Sequence, residues 1–245
     1  MDALEHCKNK IIKDVPAITK SAEELCASRE VDVVMIANSD AFHVPHTLLG
    51  LKHNKVVFVE KPLALSLKDI DSIIEAEKQS QGTVMVGYMR RYAAAFADAI
   101  KEIGSMDKVL YARVRDIIGP NSAFVGQSGT FPKTFSDYNP QDSKELKVRT
   151  DQLLEQALEK ELAIPVTQET TAMWRNLGSL GSHDLSVMRE VLGMPTSVLG
   201  ASLCKATGAP FWRSVSFHLI CLNSTNSIQC SISIPGFCGL VRVWY

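Results

Sequence analysis

The stretch Asp32-Val33-Val34-Met35-Ile36-Ala37 decides the fold, because its hydrophobic run is continuous and does not alternate. Alternation is typical of a strand with one solvated face, whereas a continuous apolar run indicates a strand that is buried on both faces. The run stops at Asn38-Ser39-Asp40, three residues that favour turns. We therefore expect a central parallel strand with helices on both sides of it.

Two helix-start patterns and two further apolar runs surround this strand. Ser21-Ala22-Glu23-Glu24 and Ser66-Leu67-Lys68-Asp69 both have the spacing of a capping box, in which a hydroxyl and a later acidic residue satisfy free N–H groups. Gly82 is the expected stop of the second of these helices. Another helix is predicted at 43–53, and strands at 56–59 and 83–88. Strands and helices that alternate at short intervals predict a doubly wound α/β sheet.

The hydrophobic period changes in the second half of the chain. After a predicted helix from Ala93 to Ile103, the residues Val109, Tyr111, Arg113 and Arg115 alternate with Leu110, Ala112, Val114 and Asp116 along one extended run, so a new sheet is predicted to begin. A loop is predicted at 119–140, helices at 150–162 and 182–192, and strands at 197–204, 215–222 and 227–234. We therefore predict a partial Rossmann-like domain at 1–104 and an incomplete α+β domain at 105–245, with a mixed, mainly antiparallel sheet.

Composition excludes several classes of partner. The 26 basic and 27 acidic residues nearly cancel, so the sequence predicts no nucleic-acid or membrane binding. The apolar runs are far shorter than the roughly 20 residues that span a bilayer. The six cysteines form no CxxC pair, which favours reduced thiols in a cytoplasmic protein over a zinc site or a disulfide framework.

Polar residues follow each of the three predicted strands of the first half. They are, in chain order, Ala37-Asn38-Ser39 with His43, then Glu60-Lys61-Pro62, then Gly87-Tyr88-Met89-Arg90-Arg91-Tyr92. In an open α/β sheet the carboxyl ends of the strands border the ligand crevice. We therefore expect these three segments to contribute to one binding site.

These motifs resemble the glucose-fructose oxidoreductase and inositol dehydrogenase (Gfo/Idh/MocA) family of oxidoreductases. The resemblance rests on the Glu-Lys-Pro strand end, on His43 before it and on the Gly-Tyr-x-x-Arg-Tyr segment after it, and it covers about residues 15–117 and 178–195. It implies NAD or NADP as cofactor and a sugar, inositol or related polyol as small-molecule substrate. It also implies that Lys61 approaches both nicotinamide and substrate. The implied dinucleotide-lining residues are Ala37, Asn38, Ser39, His43, Glu60, Lys61 and Arg91.

Oxidation of a secondary alcohol needs a hydride acceptor, a base for the hydroxyl proton and a positive group near the developing alkoxide. Lys61 is the predicted positive group, although Glu60 could equally be its simple ion-pair partner. For the base, the resemblance points to His183, because the family has a histidine that opens a helix in its second domain. A helix N-terminus disfavours the imidazolium form, so we expect a neutral ring that accepts a proton.

Two departures from the family pattern bear on activity. Many members carry an aspartate four residues before the second-domain histidine, whereas this chain has Ser179 there. Asp184 is interpreted as a first-turn carboxylate that stabilises the helix. No GxGxxG occurs, although the pyrophosphate of a dinucleotide normally rests on such a loop. We therefore interpret the sequence as truncated before Met1, and also after the apolar run at 235–245.

Three functions remain open at this point. The first is an NAD(P)-dependent dehydrogenase, the second is a non-catalytic nucleotide-binding or oligomerisation module, and the third is an inactive fragment. The second-domain sheet of the family often forms a subunit interface, so a homo-oligomer is one expectation. Arg90-Arg91 could hold the phosphate of NADP, but one of these arginines could equally be a solvated charge.

A metal site is not predicted. His43 and His46 are three residues apart on a predicted helix, which is a possible spacing for two metal ligands. No third histidine or acidic residue accompanies them at the spacing that zinc sites use.

Overall fold

The computed structural model describes residues 19–107, 109, 111–115, 127–128, 135, 139–205, 215–223 and 226–233. For the strand at 111–115 and for the strands after residue 194, it describes the backbone. The expectations for Met1, for most of the loop at 119–140 and for the run at 235–245 lie outside these residues. The chain divides into two units, Met1–Gly87 with Phe131–Thr171, and Tyr88–Thr130 with Ala172–Tyr245. They are called the first and second unit, and each is described by itself.

The division differs from the single boundary that the sequence predicts at residue 104. The segment Phe131–Thr171 groups with the first unit, and residues 88–104 group with the second. Part of the reason is that Glu161 bonds to the backbone of Leu67 and Lys68, far away in sequence. A pattern that is followed along the chain contains no information on such a long-range contact.

The first unit is built on a parallel sheet with the order β1-β2-β3. Its strands are β1 (Val33–Ile36), β2 (Val56–Glu60) and β3 (Val84–Gly87). Its helices are α1 (Ala22–Ala27), α2 (His43–Lys52) and α3 (Leu67–Gln79), and a 3₁₀ turn at Asp40–Phe42 precedes α2. Because helical crossovers connect parallel neighbours, the prediction of a Rossmann-like α/β sheet is confirmed.

Both predicted helix starts are confirmed. The Ser21 hydroxyl accepts the N–H of Glu24 at 3.2 Å, and the Ser66 hydroxyl accepts the N–H of Asp69 at 3.2 Å. Each bond satisfies one of the N–H groups that a first helical turn leaves free. The stop predicted at Gly82 is wrong, because α3 ends at Gln79 and its C-cap is the extended residue Ser80.

One face of the parallel sheet holds the core of the first unit. Val34, Ile36, Val57 and Val59 are at most 4% exposed and pack together with Cys26 of α1. Helices α2 and α3 extend this core through a second buried cluster. That cluster consists of Val44, Leu51 and Ile73.

The other face of β1 is open to solvent. Val33 is 58% and Met35 71% exposed, and β1 lies at the edge of the three described strands. The prediction of a central strand covered on both faces is therefore not met within the part of the chain that the structure describes. An apolar run indicates that a strand suits burial on both sides, but it does not itself supply the covering element.

Helix α5 (Pro140–Leu154) continues into a π-helical segment, Glu155–Glu161. The predicted start at residue 150 is wrong. The Asn139 side chain caps the helix by accepting the N–H of Gln141, and Pro140 occupies its first turn, so the start signal lay at the end of the predicted loop.

The Glu161 carboxylate joins this segment to the start of α3. It accepts the N–H of Leu67 at 2.8 Å and that of Lys68 at 3.0 Å. Burial raises the pKa of Glu161, but the two backbone bonds, the hydrogen bond from Gln156 and the charge of Lys68 together outweigh burial and hold this pKa below its ordinary value. The end of the π-helical segment is thereby fixed to the first turn of α3.

The second unit contains a 3₁₀ turn, helices and a four-stranded sheet. The turn is Met89–Tyr92, and the helices are α4 (Ala94–Gly104) and α7 (Ser182–Leu192), while α6 (Gln168–Asn176) begins in the first unit. The strands are β4 (Tyr111–Arg115), β5 (Pro195–Lys205), β6 (Val215–Asn223) and β7 (Asn226–Ser233), in the order β4-β7-β6-β5. β4 is parallel to β7, and β6 is antiparallel to both β5 and β7.

The predicted bounds of α7 are confirmed, and Gly193 ends the helix with a φ of 79°. Glycine adopts this positive φ without steric cost, which explains why it follows the last helical residue. Among the described residues, no helix is both long and apolar enough to cross a membrane.

The true constraint on Gly82 is a close backbone approach. A Cβ at this position would lie 2.1 Å from the carbonyl oxygen of Lys55, and backbone atoms cannot rotate away as a side chain can. We predict that Gly82→Ala lowers the free energy of unfolding by about 2 kcal/mol or more, as measured by urea denaturation.

The matched control is Gly104→Ala, because no atom lies within 4 Å of a Cβ built there. This variant should stay within about 0.5 kcal/mol of the parent chain. Equal stability of the two alanine variants would contradict the proposed steric role of Gly82.

Candidate functional site

The carboxyl ends of the three parallel strands lie along one edge of the first unit. Ile36 pairs with Val59 and Glu60 pairs with Gly87, so the strands end nearly level. The residues that follow β1 are Ala37, Asn38 and Ser39, and Lys61 follows β2. Six of the predicted site residues therefore lie on or next to this edge: Ala37, Asn38, Ser39, His43, Glu60 and Lys61.

His43 connects the ends of β1 and β2 from inside the protein. Its ring is 2% exposed, with Nδ1 2.7 Å from the carbonyl oxygen of Pro62 and Nε2 3.1 Å from that of Asn38. Both contacts are to acceptors, so a neutral ring donates one of these bonds and only an imidazolium donates both. The ring nitrogens of His43 are used to hold the two strand ends together.

Glu60 and Lys61 form the end of β2. The backbone N–H of Lys61 donates to Glu60 Oε2 at 3.3 Å, and both residues are partly buried. A Cβ on Gly87 would lie 3.1 Å from the Phe58 ring and 3.4 Å from Glu60 Oε1. The glycine at the end of β3 thus leaves the space in which the carboxylate lies beside the Lys61 backbone.

A second group of side chains lies next to Asn38, and the sequence did not predict it. The Asn38 amide nitrogen is 3.0 Å from His46 Nδ1, and the His46 ring stacks on Phe42 with centroids 5.5 Å apart. The Arg149 guanidinium, from α5, lies 5.1 Å from the Phe42 ring centroid. We call Phe42, His46 and Arg149 the ring cluster. His46 was considered only as a metal ligand, and no local signal connects Arg149 with a site so distant in sequence.

The surroundings of His46 lower its pKa. Burial lowers the pKa of His46 most, the positive charge of Arg149 lowers it further, and the electrostatic influence of the nearby His43 ring adds a smaller effect in the same direction. Glu145 raises this pKa, and it also forms an ion pair with Arg149 at 2.8 Å. The net effect favours a neutral His46 ring.

In the second unit, His183 is 7% exposed on α7. The Tyr88 ring meets the His183 ring edge-on, with centroids 5.9 Å apart and an angle of 85° between the planes. The predicted cofactor residue Arg91 forms an ion pair with Glu190. His183 and Arg91 thus belong to the second unit, whereas Lys61 and Asn38 belong to the first.

His183 lies in the first turn of α7, as predicted, but no break in the helical backbone precedes this helix. The π-helical segment Leu177–Gly181 joins α6 to α7, and Gly181 has helical backbone angles, φ −61° and ψ −25°. Because helical backbone continues through this point, His183 is not at the start of a separate helix, and the dipole argument for a neutral ring does not apply. A π-helical turn inside an α-helix often marks a functional site.

Asp184 is more than a first-turn carboxylate. It is 7% exposed, and its Oδ1 accepts a hydrogen bond from Arg90 Nη1 at 2.9 Å. The partly buried geometry and the charge on both groups make this a stronger contact than a surface ion pair. It fixes α7, and with it the neighbouring His183, to the turn at Met89–Tyr92.

Metal binding finds no support in the described part of the chain. No three side chains of histidine, cysteine, aspartate or glutamate lie close enough there to hold an ion. The ring nitrogens of His43 contact carbonyl oxygens, and Nδ1 of His46 contacts the Asn38 amide.

Comparison with known proteins finds similarity in the first part of the chain. A family model described as an oxidoreductase family with an NAD-binding Rossmann fold matches residues 5–88. The scyllo-inositol 2-dehydrogenase (NAD(+)) of Bacillus subtilis is 34% identical over 103 residues, which are 40% of this chain and 30% of that protein. The chain thus matches less than a third of the length of this relative.

Two solved structures share the fold. An oxidoreductase from Thermotoga maritima has a TM-score of 0.63 at 18% identity, over 96% of this chain and 61% of that one. The WlbA dehydrogenase from Thermus thermophilus, solved with NAD and α-ketoglutarate, has a TM-score of 0.52 at 15% identity, over 88% of this chain and 54% of that one.

The bridging role of His43 can be tested by removing its ring. We predict that His43→Ala lowers the free energy of unfolding by about 2–4 kcal/mol, because it leaves a cavity and removes the ring that contacts the Pro62 and Asn38 carbonyl groups. Urea denaturation measures the change.

The control is His53→Ala, just beyond the end of the same helix. His53 Nε2 contacts Glu23 Oε1 at 2.9 Å, and Glu23 is largely exposed. Its removal should leave the unfolding midpoint almost unchanged, since exposed ion pairs contribute little. A His43 variant as stable as the His53 variant would refute the bridging role.

Proposed function

We propose that this chain is part of an NAD(P)-dependent oxidoreductase of the Gfo/Idh/MocA family that acts on the CH–OH group of a sugar, inositol or related polyol, because residues 5–88 match the model of that family. The observation that carries the proposal is the set of level strand ends in the first unit. They bring an amide, a carboxylate and an ammonium group to the edge at which α/β sheets bind ligands.

The residues at this edge suit a dinucleotide. Ala37, Asn38 and Ser39 follow β1 and offer backbone and side-chain hydrogen-bonding groups, and Asn38 is exposed. When bound, the nicotinamide supplies the hydride acceptor. His43 contributes indirectly, because it holds the end of β1 against the turn at Pro62.

Lys61 is the proposed catalytic residue of the first unit. A lysine ammonium near the reacting hydroxyl favours the developing alkoxide, and such electrostatic help is often the largest contribution to catalysis. Glu60 contributes by accepting the Lys61 backbone N–H, which fixes the backbone from which the lysine side chain extends.

His183 is the proposed base, with its neutral ring accepting the hydroxyl proton. Two contacts support a positioned ring: the edge of Tyr88, and the Arg90–Asp184 ion pair beside it. Arg91 is proposed as a further cofactor contact, and its ion pair with Glu190 orients its guanidinium group.

We assign the remaining roles by unit. The first unit carries the cofactor-binding part, and the second unit carries the substrate or oligomerisation part. The mixed, mainly antiparallel sheet β4-β7-β6-β5 is the proposed surface for a homo-oligomer. The proposed location is the cytoplasm.

One observation favours a second function, a non-catalytic nucleotide-binding module. Ser179, at the position of the family's aspartate, lies in the π-helical segment and carries no carboxylate that could orient His183. Without this partner a histidine base is weaker. Saturable dinucleotide binding without any turnover of polyols would support the second function over the first.

The proposed role of Lys61 predicts a specific loss. Lys61→Ala should lower the kcat/KM for polyol oxidation by about a hundredfold or more, because the positive charge acts on the developing alkoxide. NADH production followed at 340 nm measures the rate, and the circular dichroism spectrum should be unchanged.

The matched control is Lys78→Ala, which removes an exposed lysine from α3 that contacts Glu75 at 3.8 Å. This variant should keep the parent rate. An undiminished rate in Lys61→Ala would exclude Lys61 as the electrophilic group.

A further inference from the structure

We propose that Arg149 is a positioning residue of the nucleotide crevice, which acts through His46 to orient the Asn38 side chain at the end of β1. The consequence for cofactor binding rests on the proposed function. The orientation of the two side chains does not, because it concerns only contacts within the first unit.

Arg149 reaches the strand edge from a segment that is distant in sequence. Its guanidinium lies over the Phe42 ring, and the His46 ring stacks on the same Phe42 ring. The side chain of Arg149 is 39% exposed, and Glu145, one turn earlier on α5, pairs with it. The segment from Pro140 to Glu161 thus makes two contacts through charged side chains. Arg149 pairs with Glu145 within α5, and Glu161 accepts N–H groups of the first turn of α3.

The contact between Asn38 and His46 requires a particular protonation state. The Asn38 amide nitrogen donates to His46 Nδ1 at 3.0 Å, so Nδ1 is the bare acceptor and the ring proton is on Nε2. In this arrangement the Asn38 Oδ1 atom is directed away from His46. A proton on Nδ1 would turn this atom into a donor, and the Asn38 amide would have to rotate to present its oxygen instead.

Arg149 opposes that second protonation. The charged or titratable groups that act on His46 are His43 on its own helix and Arg149 and Glu145 on α5. Burial, the charge of Arg149 and the influence of His43 lower the His46 pKa, and Glu145 raises it. Loss of the Arg149 charge removes a cation that opposes protonation, and it leaves the Glu145 carboxylate without its ion pair to Arg149. Both changes raise the pKa of His46.

The charge of Arg149 therefore sets the pH at which the Asn38 amide reverses. With Arg149 present, His46 stays neutral and the Asn38 amide keeps one orientation down to a lower pH. Without it, His46 takes up a proton at a higher pH and the amide reverses. A reversed amide would present a donor where the crevice now has an acceptor, at the strand end that we assign to the dinucleotide.

The test compares Arg149→Gln with Lys147→Gln in the 245-residue chain. Both variants remove one positive charge from α5, but Lys147 is exposed and does not act on His46. Nuclear magnetic resonance of ¹³Cε1-labelled histidines gives the His46 titration, with His46→Gln used to assign the signal among six histidines. Arg149→Gln should raise the His46 pKa, and Lys147→Gln should leave it where it is.

NADH fluorescence titrations at several pH values then measure how the affinity for NADH depends on pH. Arg149→Gln should bind NADH about threefold to tenfold more weakly at low pH than at high pH, as expected for one reversed hydrogen bond. The parent chain should change less over the same range. Arg149→Gln combined with His46→Gln should lose the pH dependence, because glutamine accepts from Asn38 and does not titrate.

The outcomes separate the two proposals. An unchanged His46 pKa in Arg149→Gln overturns the inference, whatever the chain binds. A raised pKa together with weaker NADH binding at low pH supports it. A raised pKa with NADH binding that is independent of pH confines Arg149 to a local structural role and overturns the inference. If neither the parent nor the variant binds NADH, the proposed function fails, and the His46 titration alone decides whether Arg149 orients the pair.

Discussion

The two hydrogen-bonding contacts of the buried His43 ring are the interaction on which the proposed site depends. β1 and β2 are joined by a sheet ladder only up to their last paired residues, and beyond these the chain must turn. His43 contacts the backbone carbonyl of Asn38 on one side and that of Pro62 on the other. The segments that carry Asn38 and Lys61 are thereby held at a fixed separation, which is the requirement for a site built on loops.

Much of this first unit could be predicted from the sequence, because its signals are local. The capping hydroxyls of Ser21 and Ser66 and the apolar runs of the strands depend on neighbours along the chain. The edge of the sheet at which polar residues meet also follows from the rule that parallel strands end on the same side. Six of the predicted site residues lie there, although their functional roles remain proposals.

Several of the missed features depend on contacts between distant segments. Arg149 contacts Phe42, and Glu161 contacts Leu67, each across a long stretch of sequence. No periodicity in the sequence reveals which residues these two side chains approach. Gly82 was assigned to a helix stop, whereas its constraint is the carbonyl group of Lys55. The family resemblance places His183 at a helix start, yet a π-helical turn continues the helical backbone through the residues before it. The start of α5 at Asn139-Pro140 is different, since that signal was local and was overlooked within a loop-like composition.

The central claim is that the carboxyl ends of β1 and β2 form the dinucleotide crevice of this chain. Amide hydrogen exchange, followed by mass spectrometry with and without saturating NADH, tests it most directly. The claim predicts slower exchange in peptides that cover residues 37–43 and 60–66, and unchanged exchange in the last turns of α3. Saturable binding with protection elsewhere, and none at these two strand ends, would contradict it.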